Sequence, residues 1–165
     1  MRLMFFFAAL AFAADQVSKY WVVHVMEIWK RPDILPVFPP VLNFSYGENR
    51  GINFGLFASN SETMRWVLIA VAIVICLAVI IWLRRAEQPN IVHISAGLLV
   101  GGALGNVVDR VWYGYVLDFL NSSCCGLNNP TVYNVADVFI VMGALGMIFF
   151  ANDAAPSAKR KKKGA

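Results

Sequence analysis

Charge is what this chain lacks most. Only 15% of its 165 residues are Asp, Glu, Lys or Arg and 59% are hydrophobic. A soluble domain averages about 25% charged and about 45–50% apolar residues. So little charge, with 13% aromatic residues, excludes disorder, because such a chain does not stay solvated. Cysteine is scarce as well. Cys76, Cys124 and Cys125 are too few for a disulfide-stapled secreted mini-protein. Histidine is limited to His24 and His93, and neither HExxH nor CxxC spacing occurs, so the usual zinc patterns are missing. There is no internal repeat. The net charge of +4 comes from one end. Setting aside the five cations at 159–163 leaves nine basic residues against ten acidic ones, which removes the argument for a nucleic-acid partner. The length allows one domain. What remains is a small integral membrane protein, and the mean hydropathy of +0.61 agrees.

A spanning helix needs about 20 mostly apolar residues, and four stretches qualify: 3–23, 66–83, 91–108 and 135–151. The expected fold is therefore mainly α, with four transmembrane helices in one membrane domain over 1–153. Lys and Arg near the span ends set the orientation. Arg2, the Arg84-Arg85 pair and the basic 159–163 run fall on one side, so both termini are expected in the cytoplasm. Outer loops at about 25–64 and 111–134 then face away from it. Arg2, the apolar run and Ala11-Phe12-Ala13 also resemble a secretory signal with an A-x-A cleavage site. Against cleavage, hydrophobicity resumes through Val17, Tyr20, Trp21, Val22 and Val23.

The first outer loop, DILPVFPPVLNFSY from Asp33, is rich in proline and β-formers and reads as short strands with prolines at edges or turns. Gly47, Gly51 and Gly55 follow between apolar residues and suggest turns or a bulge. Some forty residues are too few for an independent core, so a small extracytoplasmic β-sheet resting on the helices is expected. Residues 154–165 read as a disordered basic cytoplasmic tail near anionic lipid.

Ionisable groups inside spans are costly and mark function by default. At about 1.5 Å per residue, Asp15 lies about 18 Å beyond Leu3, in the outer half of the first helix. Lys19 is one turn further out. Asn106, Asp109 and Arg110 end the third span, and Asn134 and Asp137 begin the fourth. With Asp118 on the connecting loop, all of these converge near the outer boundary. Asp15, Ser18 and Lys19 share one helix face by spacing, as do Asn106 with Arg110 and Asn134 with Asp137. Asp15–Lys19 and Asp109–Arg110 read equally well as structural ion pairs. Asp118 and Asp137 have no basic neighbour in sequence. Gly97, Gly101 and Gly105 form a small-residue ladder for close helix packing. No strand precedes them and no Lys-Ser/Thr follows, so they are not a phosphate loop.

Two carboxylates side by side do not both ionise readily. One then serves as general base towards water and the other as general acid, which is aspartic-protease chemistry. Asp118 and Asp137 are the candidate pair, one on a loop and one at a helix start. A serine nucleophile lacks a base, since Ser18 and Lys19 do not face each other on a helix. Cys76 is expected lipid-facing or packed, and the pairing of Cys124 and Cys125 stays open.

Five segments together carry a family resemblance: Asp15-Gln16-Val17-Ser18-Lys19, Asn49-Arg50-Gly51-Ile52-Asn53-Phe54-Gly55, Gly101 to Arg110 (GGALGNVVDR), Val116-Leu117-Asp118-Phe119 and Tyr133-Asn134-Val135-Ala136-Asp137. In this order the chain resembles lipoprotein signal peptidase, or signal peptidase II. The resemblance implies an aspartyl endopeptidase of the bacterial inner membrane, with its active site towards the periplasm. It would cut prolipoproteins before a diacylglyceryl-modified cysteine, with Asp118 and Asp137 as the catalytic dyad. Asp15, Lys19, Asn49, Gly51, Asn106, Arg110, Asn134 and Ala136 would line or support the site. The 49–55 loop would belong to a substrate-cradling sheet and 111–134 to a mobile outer flap. The resemblance implies no cofactor and no metal. Membrane lipids and the lipidated substrate are the implied partners, and globomycin the implied inhibitor.

Two other classes use the same buried charges. A transporter or proton-relay subunit predicts inverted repeats and a polar path across the whole span, whereas the inner halves of these helices are apolar. A scaffold protein whose charges only join helices would tolerate loss of Asp118.

Overall fold

The computed structural model describes residues 1–31, 34–38, 41–51, 61–85, 87–122 and 131–151. Four long helices and a small antiparallel sheet make up these residues. Helix α1 (Arg2–Tyr20) runs on into a π-helical turn (Trp21–Val25) and, past Glu27, a short 3-10 turn (Ile28–Lys30). Strands β1 (Leu35–Phe38) and β2 (Leu42–Asn49) follow, then α2 (Ser61–Arg85), α3 (Asn90–Tyr113), β3 (Val116–Asn121) and α4 (Val135–Phe150). The helices cover the four apolar stretches. The basic tail, Gly55 and the Cys124-Cys125 pair lie outside the described residues.

Helix α3 is central and packs against α1, α2 and α4. Its small residues allow this. A Cβ on Gly101 would strike the backbone carbonyl of Ala8, and one on Gly105 would sit 2.5 Å from Asp15 Oδ2. On another face, a Cβ on Gly102 would lie 2.6 Å from the Ala136 carbonyl oxygen. The ladder therefore brings α1 and α4 into backbone contact with α3 at the level of the polar residues. Ala8, Cys76, Leu99, Val100 and Ala103 form one apolar cluster, so Cys76 is packed. Met4, Leu83, Val92 and Ala96 form another nearer the opposite end.

Helices α2 and α3 are long and apolar enough to cross a membrane, while α4 is a shorter apolar helix. Only 11% of α2's most apolar window is buried, against 61% for α3. Val67, Val71, Val74, Ile75 and Ile81 of α2 are exposed, an apolar surface that water does not favour and hydrocarbon does.

The sheet order is β1-β2-β3, all antiparallel. A register shift between Phe44 and Gly47 marks the expected bulge. The third strand corrects the sequence expectation: 111–134 is not one loop. Helix α3 continues to Tyr113, Gly114 ends it in a left-handed conformation, and β3 then pairs with β2. Asp118 consequently sits on a strand, opposite Gly47. Phe119 packs edge-to-face on Phe44 with ring centres 5.6 Å apart, over Val22 and Ile28, which seats the sheet on the extension of α1.

Candidate active site

Strand β3 and helix α4 are joined just before the helix starts. Phe119 and Leu120 donate their backbone N–H groups to the Tyr133 carbonyl at 3.0 and 2.8 Å, and Tyr133 N–H returns to Leu120 O at 2.9 Å. The next residue, Asn134, is therefore delivered beside Asp118. Asn134 is also the N-cap of α4. Its Oδ1 accepts the Asp137 N–H at 2.9 Å, and Asp137 Oδ2 accepts the Asn134 N–H at 3.2 Å, a reciprocal capping box.

Two of the three asparagines predicted near the site, Asn106 and Asn134, bridge the two aspartates. Asn134 Nδ2 donates to Asp118 Oδ1 at 2.6 Å and to Asn106 Oδ1 at 3.1 Å. Asn106 Nδ2 donates to Asp137 Oδ1 at 2.9 Å. Asp118, Asn106 and Asn134 are buried, and Asp137 is half-buried. Asn49, at the end of β2, reaches the same place. Its Oδ1 accepts the Gly51 N–H at 3.0 Å, and its side chain is near enough to Asp118 to favour the carboxylate. Gly51 makes that turn possible with φ of +74°, where other residues are strained.

Asp118 lies in the sheet, outside the helices. Burial, followed by the negative charge of Asp137, pushes its carboxyl from an ordinary 3.8 up to about 6. The nearby Asn49 side chain, the hydrogen bond from Asn134 and the charge of Lys19 oppose this. The two aspartates are thus close enough for the charge of one to oppose ionisation of the other.

Below them lies a second buried network. Lys19 Nζ is 2.8 Å from Asp15 Oδ2, 2.7 Å from Asp109 Oδ2 and 3.3 Å from Asn106 Oδ1. The Asp15–Lys19 ion pair expected from spacing is present. Asp109, however, pairs with Lys19 and not with Arg110. Arg110 makes no ion pair among the described residues. Its Nη1 donates to Asn106 O at 3.4 Å, within the field of Asp137, Asp118 and Asp109. Ala136 is fully buried, and its N–H donates to Asp15 Oδ1 at 3.0 Å. Ser18 is tied to the Asp15 carbonyl at 2.7 Å. Gln16 was not singled out from the sequence, yet its Nε2 donates to Asp15 Oδ2 at 3.2 Å and to Asp109 Oδ1 at 3.1 Å. The available signals were its place beside Asp15 in an apolar span and within the Asp15–Lys19 segment of the resemblance. A cavity of about 250 Å³ opens next to this network, lined by Gln16, Lys19, His24, Asp109 and Tyr113 but by neither Asp118 nor Asp137.

No group of three or more His, Cys, Asp or Glu among the described residues is arranged to hold a metal ion. What the arrangement offers is a pair of neighbouring carboxyl groups, one of which keeps its proton well above the ordinary range, held by amide donors.

A helical body with lipid-suited flanks and a polar site beneath a small sheet defines a membrane enzyme. Two solved bacterial membrane enzymes share the fold. One matches with a TM-score of 0.77 at 27% identity, covering 90% of this chain and 92% of the other. The second matches with a TM-score of 0.72 at 26% identity, covering 90% and 87%. A family model described as signal peptidase (SPase) II matches residues 7–152. Lipoprotein signal peptidase of Sphingopyxis alaskensis is 37% identical over 148 residues, 90% of this chain and 84% of that protein. That of Trichormus variabilis is 33% identical over 164 residues, 98% of this chain and 97% of that protein. The chain belongs to the signal peptidase II family, and it is a membrane peptidase.

Proposed function

We propose that this peptidase removes the signal peptide from prolipoproteins by cutting before the diacylglyceryl-modified cysteine, with a water activated by Asp118 and Asp137. The observation that carries this reading is the shared cradle of the two carboxyl groups, Asp118 on Asn134 and Asp137 on Asn106, with the two asparagines bonded to each other. One carboxylate takes a proton from water as the oxygen attacks the scissile carbonyl carbon. The other, protonated, donates to the carbonyl oxygen; as the tetrahedral intermediate collapses it takes that proton back, and the first carboxyl passes the proton gained from water to the departing amine of the cysteine. Arg110 and the asparagines hold the substrate backbone or orient the carboxyl groups.

The membrane setting follows the same logic. All four helices expose large apolar side chains, including Phe5, Phe6 and Leu10 of α1 and Ile148, Phe149 and Phe150 of α4, which supports four spans in the bacterial inner membrane. The distribution of Lys and Arg supports cytoplasmic termini, with the site near the periplasmic boundary. At that depth the lipid chains of the substrate stay in the bilayer while its peptide bond meets water. Globomycin, a cyclic peptide inhibitor of the family, is expected to compete for this site.

The test is to incubate purified protein in detergent with a diacylglyceryl-modified prolipoprotein and with its unmodified form. Cleavage of the first only, unchanged by chelators and abolished by globomycin, supports the reading. Equal cleavage of both, or loss of activity on chelation, contradicts it.

A further inference from the structure

The partners of Lys19 do more than neutralise it. Asp15, 2.8 Å from Nζ, accepts the backbone N–H of Ala136 at 3.0 Å. Asp109, 2.7 Å from Nζ, accepts the backbone N–H of Leu117 at 3.2 Å. Ala136 and Leu117 are the residues immediately before Asp137 and Asp118. One ammonium therefore connects, through two carboxylates, to the backbone beside each member of the pair. Gln16 closes the arrangement by donating one amide nitrogen to both carboxylates.

Helix association does not require these charges. The glycine ladder already brings α1 and α4 against α3. Burying ions is costly, and apolar replacements of buried ion clusters are often neutral or stabilising. Asp15, Lys19 and Asp109 are nonetheless 0%, 3% and 1% exposed. What charges provide and apolar packing does not is direction, since a carboxylate oxygen fixes where a donor sits. The Ala136 N–H lies in the first turn of α4, where it has no partner within the helix. It is thus free to be located by an outside acceptor.

We propose that Lys19, Asp15 and Asp109 form a positioning yoke that sets the separation and mutual orientation of Asp118 and Asp137. The proposal rests on the reading of those two residues as the catalytic dyad. Asp15 and Asp109 act through backbone N–H groups, Lys19 also acts through the Asn106 side chain and its charge, and none of the three is bonded to the carboxyl groups of the pair.

Amide-to-ester replacement tests the yoke without altering a side chain. Leu117 is replaced by its α-hydroxy acid in one variant, and Ala136 in another, each removing a single N–H. Cleavage of the diacylglyceryl-modified prolipoprotein is followed with kcat and KM resolved. The expected result is a fall in kcat of about 100-fold for each ester, the scale of a 1 Å misplacement, with KM changed less than about twofold. Lys19→Met should do the same and Lys19→Arg should recover part of the rate. If Lys19→Met does not fold, the esters decide. Esters that lower thermal stability but keep the wild-type kcat overturn the yoke, because that is the signature of a purely structural role. Asp118→Asn and Asp137→Asn are assayed alongside. If these cleave normally, the dyad reading fails and the yoke with it. If they are inactive while the esters are unimpaired, the yoke alone fails.

Discussion

Asn134 donates to Asp118 at 2.6 Å while its own side-chain oxygen caps the N–H of Asp137 at 2.9 Å. One amide thus does two separable jobs: it starts a helix and it holds a carboxyl group. Serine in its place keeps a capping oxygen but loses the amide nitrogen that reaches both Asp118 and Asn106, its single hydroxyl sitting on a shorter side chain, whereas alanine loses cap and donor alike. Asn134→Ser should be about 1 kcal/mol more stable than Asn134→Ala. Both should lose about 100-fold in kcat, since either frees Asp118 to shift. Thermal unfolding in detergent and cleavage kinetics check the two halves. A fully active Asn134→Ser would separate Asn134 from the chemistry.

The raised pKa of Asp118 makes stability depend on pH. In the unfolded chain the carboxyl loses its proton near 3.8, and in the fold near 6. Between these values the folded state binds more protons, so the contribution of this group to stability falls as pH rises from about 4 to 6 and then levels off. A shift of this size corresponds to about 3 kcal/mol. Asp118→Asn carries no titrating group and escapes the loss. Relative to wild type, the variant should therefore be more stable at pH 8 than at pH 4.5, measured by thermal unfolding. An unchanged difference at the two pH values would count against burial as the cause.

Gly105 has room for hydrogen only, because an added Cβ would stand 2.5 Å from Asp15 Oδ2. Gly105→Ala should cost about 1–3 kcal/mol through forced displacement. It should also reduce cleavage, since Asp15 carries the Ala136 N–H. Unfolding midpoints and turnover of the same preparation test both effects. Normal values for both would show that α1 yields without consequence.

Orientation is open to direct labelling. Trp112 is 80% exposed at the C-terminal end of α3, and Glu87 lies in the short link before that helix. In a background without native cysteines, Trp112→Cys should react with a membrane-impermeant maleimide in cells with a permeabilised outer membrane. Glu87→Cys should react only after lysis. The reverse pattern would invert the topology.

The helices were legible because apolar runs of this length have few other uses, and the glycine spacing foretold how closely they pack. The third strand was not. Val116–Asn121 owes its conformation to β2, about seventy residues earlier, and no local pattern announces such a partner. Asp118 is thus a candidate that local pattern sets on a loop and the pairing with β2 sets on a strand. Asp109 pointed the wrong way for a simpler reason. Its neighbour in sequence is Arg110, yet adjacent residues on a helix diverge, and Asp109 faces α1 and Lys19 instead. Asn49 came into view only through the family resemblance, because its nearness to Asp118 depends on the pairing of β2 with β3 and on the turn at Gly51.

The central claim concerns two carboxyl groups working as one. The most direct measurement is kcat for Asp118→Asn, Asp137→Asn and the double variant on the lipidated prolipoprotein, with each protein verified as folded. Groups that act as a unit are not additive, so each single change should abolish cleavage and the double should be no worse than either. A single variant that retains cleavage near the wild-type rate would contradict the account.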